Sequence, residues 1–404
     1  MFIAAAIGSP GGPVFADSLS RGSVSLEGRG FQPDEFAETE DYGVALTTQI
    51  EINTRPTPSL GFVGRGLARL DAIDKNRNIA TVEDAYGGYS LGPVTLRIGA
   101  QILNWTATEA FHPADIVNSR NFDSDLESPE KIGEPMVELR LRILRGHLSA
   151  YYMPLRLPSR LPGNTSRLSP FGPNPAGLEL GDTLWVDRNG KTSDSVFAHQ
   201  GALYLSQTIG KADIGIHVVD HNDRSKPTFT LVGGEGVVRP TYHTVTQLGL
   251  TYTQVLGSLI VKLEGAQRWY RQPDPDAAMD VDAQVDHAQV AGGLEYGWTT
   301  EAGHSAAVLL EGQTIVLRDR EVARQLDVLQ GDVLLAYRHA FNDSKGRELR
   351  LGLLADFERP SEYVASVRWA QSMTDVWSVV GIVRSARLLG KDVQEGQVTL
   401  LRNF

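Results

Sequence analysis

Polar and apolar residues alternate along this chain in about eighteen stretches of strand length. In Pro135–Leu144, Val137, Leu139, Leu141 and Ile143 share one parity, and Glu138, Arg140 and Arg142 share the other. Leu259, Val261 and Leu263 oppose Lys262, Glu264 and Arg268 in the same way, and Leu349, Leu351, Leu353 and Phe357 oppose Arg350 and Asp356. Side chains of a strand point alternately to two faces, so each stretch makes one apolar and one polar face. So many such strands need an apolar phase on one side and a polar phase on the other. An all-β, antiparallel barrel spanning a membrane, with lipid outside and water inside, meets that requirement.

The expected strands are Ser23–Phe31, Tyr42–Asn53, Leu60–Asp71, Ile79–Ser90, Val94–Asn104, Glu134–Leu144, His147–Leu155, Val196–Thr208 and Ala212–Asp220. Thr241–Gln254, Ser258–Tyr270, His287–Thr299, His304–Leu317, Leu329–Ala340, Glu348–Phe357, Glu362–Gln371, Val376–Leu388 and Gly396–Phe404 complete the set. Links after even-numbered strands are short, as in Leu91–Pro93 and Ile209–Lys211, whereas 105–133, 156–195 and 221–240 are long. Short periplasmic turns and long external loops produce that parity, and an even count puts both termini in the periplasm.

Mean hydropathy is only −0.19, and no run approaches the ~18 apolar residues of a spanning helix. A barrel needs apolar residues only at every second position, so the mild mean fits it. The chain has 404 residues and no cysteine, which excludes thiolate catalysis and cysteine-held metal centres. Met1–Ala16 carries Phe2–Ile7 and Val14-Phe15-Ala16, which suit a truncated signal peptide cut before Asp17; 17–404 then forms one barrel domain. With so short a stretch before the first strand, no periplasmic plug is expected, against an energy-coupled receptor.

Aromatic residues fall near strand ends, where interfacial girdles sit. Tyr89, Tyr252, Trp298, Trp369, Trp377 and Phe404 are expected at the periplasmic rim, and Phe197, Tyr242, Trp269, Phe357 and Tyr363 at the external rim. Arg402 breaks the outer face of the last strand. Bases of lumenal parity are Arg65, Arg69, Arg97, Arg140, Arg142, Lys262, Arg268, Arg338, Arg350, Arg368 and Arg384. Acids of lumenal parity are Asp84, Glu138, Asp213, Glu264, Glu295, Glu311, Asp332 and Asp356, with Glu51 near the periplasmic rim. Such charges either select a solute or pair between neighbouring strands and stiffen the wall. Arg97, Arg140 and Arg142, on consecutive strands, form the expected basic cluster, which an anion or acidic sugar would feel most.

The net charge of −11 concentrates in loops such as 34–41, 123–127 and 274–286. These are expected to be solvated, with bridging to lipopolysaccharide through divalent cations as the alternative. Leu155–Gly190 holds Arg156, Arg160 and Arg167 among prolines and glycines, and is read as folding into the mouth as a constriction rather than as a docking surface. His217, Asp220 and His221, at the outer end of one strand, have the residue types of a hydrolytic or metal site, but neighbouring His and Asp at a loop start are common by chance, and Gly233-Gly234-Glu235-Gly236 lacks the strand-to-helix context of a phosphate loop. No basic–aromatic interleaving points to nucleic acid.

Three segments carry a family resemblance. Asp84-Ala85-Tyr86 precedes Arg97-Ile98-Gly99-Ala100-Gln101, with Trp105 following, and then comes Pro113-Ala114-Asp115-Ile116-Val117-Asn118-Ser119-Arg120. Over about forty residues this resembles proteobacterial outer-membrane channels of the alginate-export type and their relatives, with Asp84 in place of the usual glutamate and Ala100 at an often basic position. The resemblance implies an eighteen-stranded monomeric barrel with a charged lumen narrowed by loops. The expected function is passive diffusion of small hydrophilic solutes, anions among them, without catalysis, cofactor or metal. The alternatives are a sealed barrel anchoring a partner complex and a secreted soluble β-protein. Expected partners are outer-membrane lipid, lipopolysaccharide, a small polar solute and the barrel-assembly machinery, which would read the strand ending at Phe404.

Overall fold

A computed structural model describes residues 17–33, 39–163, 165–169, 179–225, 227–232, 237–274, 281–328, 330–388 and 390–404. The candidate signal peptide, the acidic stretches 34–38 and 275–280 and the glycine run 233–236 lie outside them. The barrel strands are β1 (Asp17–Phe31), β2 (Tyr42–Thr57), β3 (Leu60–Asp71), β4 (Ile79–Leu91), β5 (Val94–Gln101), β6 (Glu134–Ile143), β7 (Gly146–Leu155), β8 (Phe197–Ile209) and β9 (Ala212–Asn222). β10 (Val237–Leu256), β11 (Leu259–Tyr270), β12 (His287–Thr299), β13 (Ser305–Val316), β14 (Gly331–Ala340), β15 (Glu348–Asp356), β16 (Tyr363–Ser372), β17 (Trp377–Leu388) and β18 (Lys391–Asn403) follow. Each strand pairs antiparallel with the next, and β18 pairs back onto β1 from Ser23↔Asn403 to Phe31↔Glu395, closing an 18-strand barrel.

The two-residue turns show why the short links are where they are. Gly92, Gly210 and Gly257 occupy first turn positions with φ of 58°, 64° and 66°, a left-handed conformation that glycine takes without a Cβ penalty. The equivalent residue of the β6–β7 turn is Leu144, at φ 49°. The one α-helix among the described residues is Arg320–Leu326, which starts where the Asp319 carboxylate accepts from Glu321 N and Val322 N.

Outside, apolar side chains stand exposed on every wall, including Leu26, Leu46, Leu139, Leu203, Leu250, Leu294, Leu335, Leu353 and Val383. A continuous band of this kind is untenable in water and is what lipid requires. The soluble alternative fails on it.

Several boundaries differ from the sequence expectation. β1 begins at Asp17, β18 at Lys391, and β10 is 20 residues long. β5 ends at Gln101 because Leu103 N donates to the Asn118 side chain (2.8 Å) instead of to a neighbouring strand.

Candidate functional site

The segment 102–133, between β5 and β6, folds into the barrel. The resemblance-bearing residues build its root. Asn118 accepts from Leu103 N and donates to Gln101 O and Ile132 O, both at 2.9 Å. Asp115 is buried between Lys131 (2.6 Å) and Arg120 (3.0 Å). Burial opposes ionisation of Asp115, but these two cations outweigh it and hold the carboxyl below its usual range. Asp84 accepts from Ile102 N at 3.0 Å. Gly99 has φ 138°, and a Cβ there would lie 2.1 Å from Ala85 O, so only glycine fits.

From this root the loop leans on the inner wall of β6–β11. Trp105 stacks on Tyr204 (5.2 Å, 6°), meets Tyr151 edge-on and lies 4.5 Å from the His217 ring. Ile116, Val117, Met136, Met153, Val219, Val245 and Tyr270 complete a buried apolar cluster. The lumen is therefore dry on this side.

The loop is also fastened by polar groups to β11 and to the walls beyond it. Glu264 on β11 accepts from Ala107 N, Thr108 N (2.8 Å), the Thr108 hydroxyl (2.8 Å) and Ala114 N (3.4 Å). Glu311 on β13 accepts from Glu109 N and Ala110 N at 2.8 and 2.9 Å. Lys262 sits between Glu109 (2.7 Å) and Glu295 (2.8 Å), and Arg268 donates to Pro113 O at 3.0 Å. On the other side Arg384 holds Asp125 (3.1 Å), Glu127 (2.9 Å) and Glu395 (2.6 Å), and Arg69 holds Glu130. Charge-assisted hydrogen bonds of this kind contribute roughly 1.5–3 kcal/mol each. The acids 123–127, expected to be solvated, are thus turned inward, and Asp123 is fully buried against Asn76 and Ser166.

The strap across the lumen is therefore 102–133, which the sequence reading did not single out; of Leu155–Gly190, expected as the constriction, 164 and 170–178 lie outside the described residues. The first part of that segment lies over the strap as a second layer. Arg120 N donates to Ser159 Oγ (3.0 Å), Phe122 N to Arg160 O (2.9 Å) and Lys391 Nζ to Ser169 O (3.1 Å), while Arg167 pairs with Asp41. Further on, Leu184–Val186 joins the top of β10 in parallel register.

Toward the short-turn end, arginines remain half-exposed to the lumen. Arg338, Arg350 and Arg368 are register partners on β14, β15 and β16, standing in one row. All three share the single carboxylate of Glu348, at 2.7, 2.6 and 3.8 Å. Three guanidinium groups against one carboxylate leave a local surplus of positive charge. Arg97 (3.3 Å) and Arg140 (2.8 Å) likewise share the buried Glu138, which also accepts from Ser149 and Tyr151. Arg142 is exposed at the strand end. Arg65 is balanced by Glu83 and Asp84. Asp332 and Asp356 are register partners buried near the long loops, bonded to Gln313 and to Gln330 and Arg359 respectively. Asp213 is exposed and accepts from Thr208 (2.6 Å), and Glu51 pairs with Arg21 at 2.8 Å.

The barrel has the fold of outer-membrane porins. It is similar to Pseudomonas aeruginosa OccK11 (OpdR), with a TM-score of 0.54 and 11% identity over 95% of this chain and 96% of that one. Pseudomonas aeruginosa OpdO matches with a TM-score of 0.54 and 13% identity, over 96% and 97% of the two chains. No protein-family model and no curated protein matches the chain.

Among the expected girdle residues, Tyr89, Phe197, Trp269, Trp298, Phe357, Trp377 and Phe404 are exposed, and Tyr252, Tyr363 and Trp369 are partly so. The Arg402 guanidinium lies 5.8 Å from the Trp377 ring centroid. Tyr242 is a correction: it is fully buried and stacked on Trp185 at 5.1 Å. β10 continues beyond its neighbours, Leu184–Val186 and Thr228–Val232 pair along its top, and the Tyr242 hydroxyl reaches Ser159 O at 3.5 Å in the loop layer over the strap. His217 and His221 are buried at the strap's seat and assemble no metal site among the described residues.

Residues missed by sequence reasoning include Glu348, Glu109, Glu134 and Arg224, the last two forming a fully buried ion pair at 3.0 Å. One signal was available. Tyr151-Tyr152-Met153 and Val218-Val219 are apolar on both faces, so their inner side cannot face water.

Proposed function

We propose that the protein is a passive outer-membrane diffusion channel for small hydrophilic solutes, with the 102–133 strap as its constriction and a preference for anions. The strap's attachment to Glu264 and Glu311 on one wall and through Arg384 on another is the observation that carries this reading. It reduces an open lumen to passages beside a fixed element. The Arg338–Arg350–Arg368 row, with one shared acid, supports the anion preference. In this reading the long loops face outside and both termini are periplasmic. The sequence segments over 82–122 support the finer placement beside alginate-export-type channels and make acidic sugars the first solutes to test.

The second reading, a sealed barrel anchoring a partner complex, is favoured by the two loop layers in the mouth. Planar-bilayer recording separates the two: a channel gives discrete conductance steps and a sealed barrel gives none. Under a salt gradient the reversal potential should show anion selectivity. A cation-selective wild type would refute the arginine row's role.

A further inference from the structure

Above the membrane band, the outer wall of β7–β11 carries a polar cleft that a diffusion channel does not require. Tyr152, Gly201, Asp220, Thr246 and Trp269 are successive register partners, so they stand in one row at one height. Tyr152 and Trp269 are exposed at its two ends, as interfacial aromatics would be. One step toward the short turns, Leu203, Val218 and Leu248 form an exposed apolar row. One step the other way the wall becomes cationic. Arg188 and Arg271 converge on Asp220 at 2.6 and 3.8 Å, and Thr246 donates to the same carboxylate at 2.9 Å. Both guanidinium groups are about half exposed, so two cations share one anion at the rim.

Behind this row β8 and β9 part company. Their pairing stops at Gly201↔Asp220, and above it β8 is displaced by a bulge between Phe197 and Gln200. The gap is a cavity of about 350 Å³ roofed by the turn at Asp187–Asn189. Arg156, Arg188, Asn189 and His199 line it. Arg156 is itself held by Asp187 and donates to Ser195 O at 3.3 Å, so it stiffens the roof and leaves Arg188 as the cation open to the cleft.

We propose that this cleft binds the phosphorylated headgroup of an outer-leaflet glycolipid, its phosphate on Arg188 and Arg271 and its acyl chains along Leu203, Val218 and Leu248. The assignment rests on the reading that the long-loop end faces outward. Phosphate prefers the planar guanidinium fork, and the aromatic residues at either end of the row place that fork at headgroup depth. Asp220 is the internal counter-ion that the phosphate displaces.

The test is titration of refolded, lipid-free protein in detergent with diphosphoryl lipid A, read by native mass spectrometry. A one-to-one adduct is expected. Arg188→Ala and Arg271→Ala should each weaken it about fivefold, the usual effect of one cation at an anionic lipid surface. Dephosphorylated lipid A should bind as poorly as the double variant does. Asp220→Asn should tighten binding. Retained binding by the double variant, or equal binding of the dephosphorylated lipid, overturns the proposal. So does displacement of the lipid by millimolar inorganic phosphate, which would make this a site for the free ion. Arg21→Ala, in the lumen, should leave binding unchanged. Conductance recorded on the same material separates failure of this site from failure of the channel reading.

Discussion

Replacing Glu264 with alanine should unfasten the constriction without unfolding the barrel. The carboxylate stands on a wall strand, outside the strand ladder's own hydrogen bonds, and its work is done on the strap. One of its oxygens accepts from Ala107 N, Thr108 N and the Thr108 hydroxyl. At about 1.5 kcal/mol for each charge-assisted bond, the alanine variant forfeits roughly 4–5 kcal/mol of docking energy. That shifts the docked-to-undocked ratio of the strap by about a thousandfold, tenfold for every 1.4 kcal/mol. Glu264→Gln can keep an oxygen toward the same three donors and loses mainly charge and the long Ala114 contact, so it should cost about 1–2 kcal/mol. Single-channel recording in a planar bilayer reads the difference. Glu264→Ala should open larger and noisier steps, Glu264→Gln nearly native ones, and Glu264→Ala with Glu311→Ala the largest, because Glu109 N and Ala110 N are freed as well. Heat-modifiable migration in detergent gels confirms that each barrel is closed. Identical step size and noise in all four proteins would show that the strap does not limit the pore.

Neutralising Arg338, Arg350 and Arg368 together should move the reversal potential toward cations, and by more than Arg97→Ala with Arg140→Ala, because three guanidinium groups share Glu348 and only two share Glu138; equal shifts would remove the row's special role. Trp105→Ala should cost roughly 3–5 kcal/mol of strap packing and expose 102–133 to limited proteolysis, which the native protein should resist. Leu144→Gly relieves a left-handed conformation worth about 1–2 kcal/mol and should raise the urea midpoint of refolding in detergent. Asp115, whose carboxyl is held below the usual range, contributes stability that is complete above its unfolded value of about 3.9 and fades only as pH falls through the depressed folded value. Conductance should therefore stay constant from pH 7 to 5, and a step within that window would assign control to another group.

Much of the wall is legible in one dimension because a strand's period of two is local. Val137, Glu138, Leu139 and Arg140 declare their faces with no knowledge of any neighbour. The mouth is different. Tyr242 has the parity of a girdle residue, yet its burial depends on Trp185, which arrives from another loop. Leu155–Gly190 and 102–133 are both long, polar and rich in turn residues, and neither composition says which one enters the lumen. The doubled apolar faces at Tyr151-Tyr152-Met153 and Val218-Val219 mark where a plug must seat, but not which segment fills the seat.

Alternation alone determined that this chain makes a closed wall with lipid on one side and water on the other, because facing is decided residue by residue. Only the tertiary structure decided what stands in the lumen. Thr108 meets Glu264 across 156 positions, Glu109 meets Glu311 across 202, and Arg384 meets Glu127 across 257. Such contacts exist only after the barrel has closed and brought its far walls within reach of one loop, and no local pattern encodes a partner that distant.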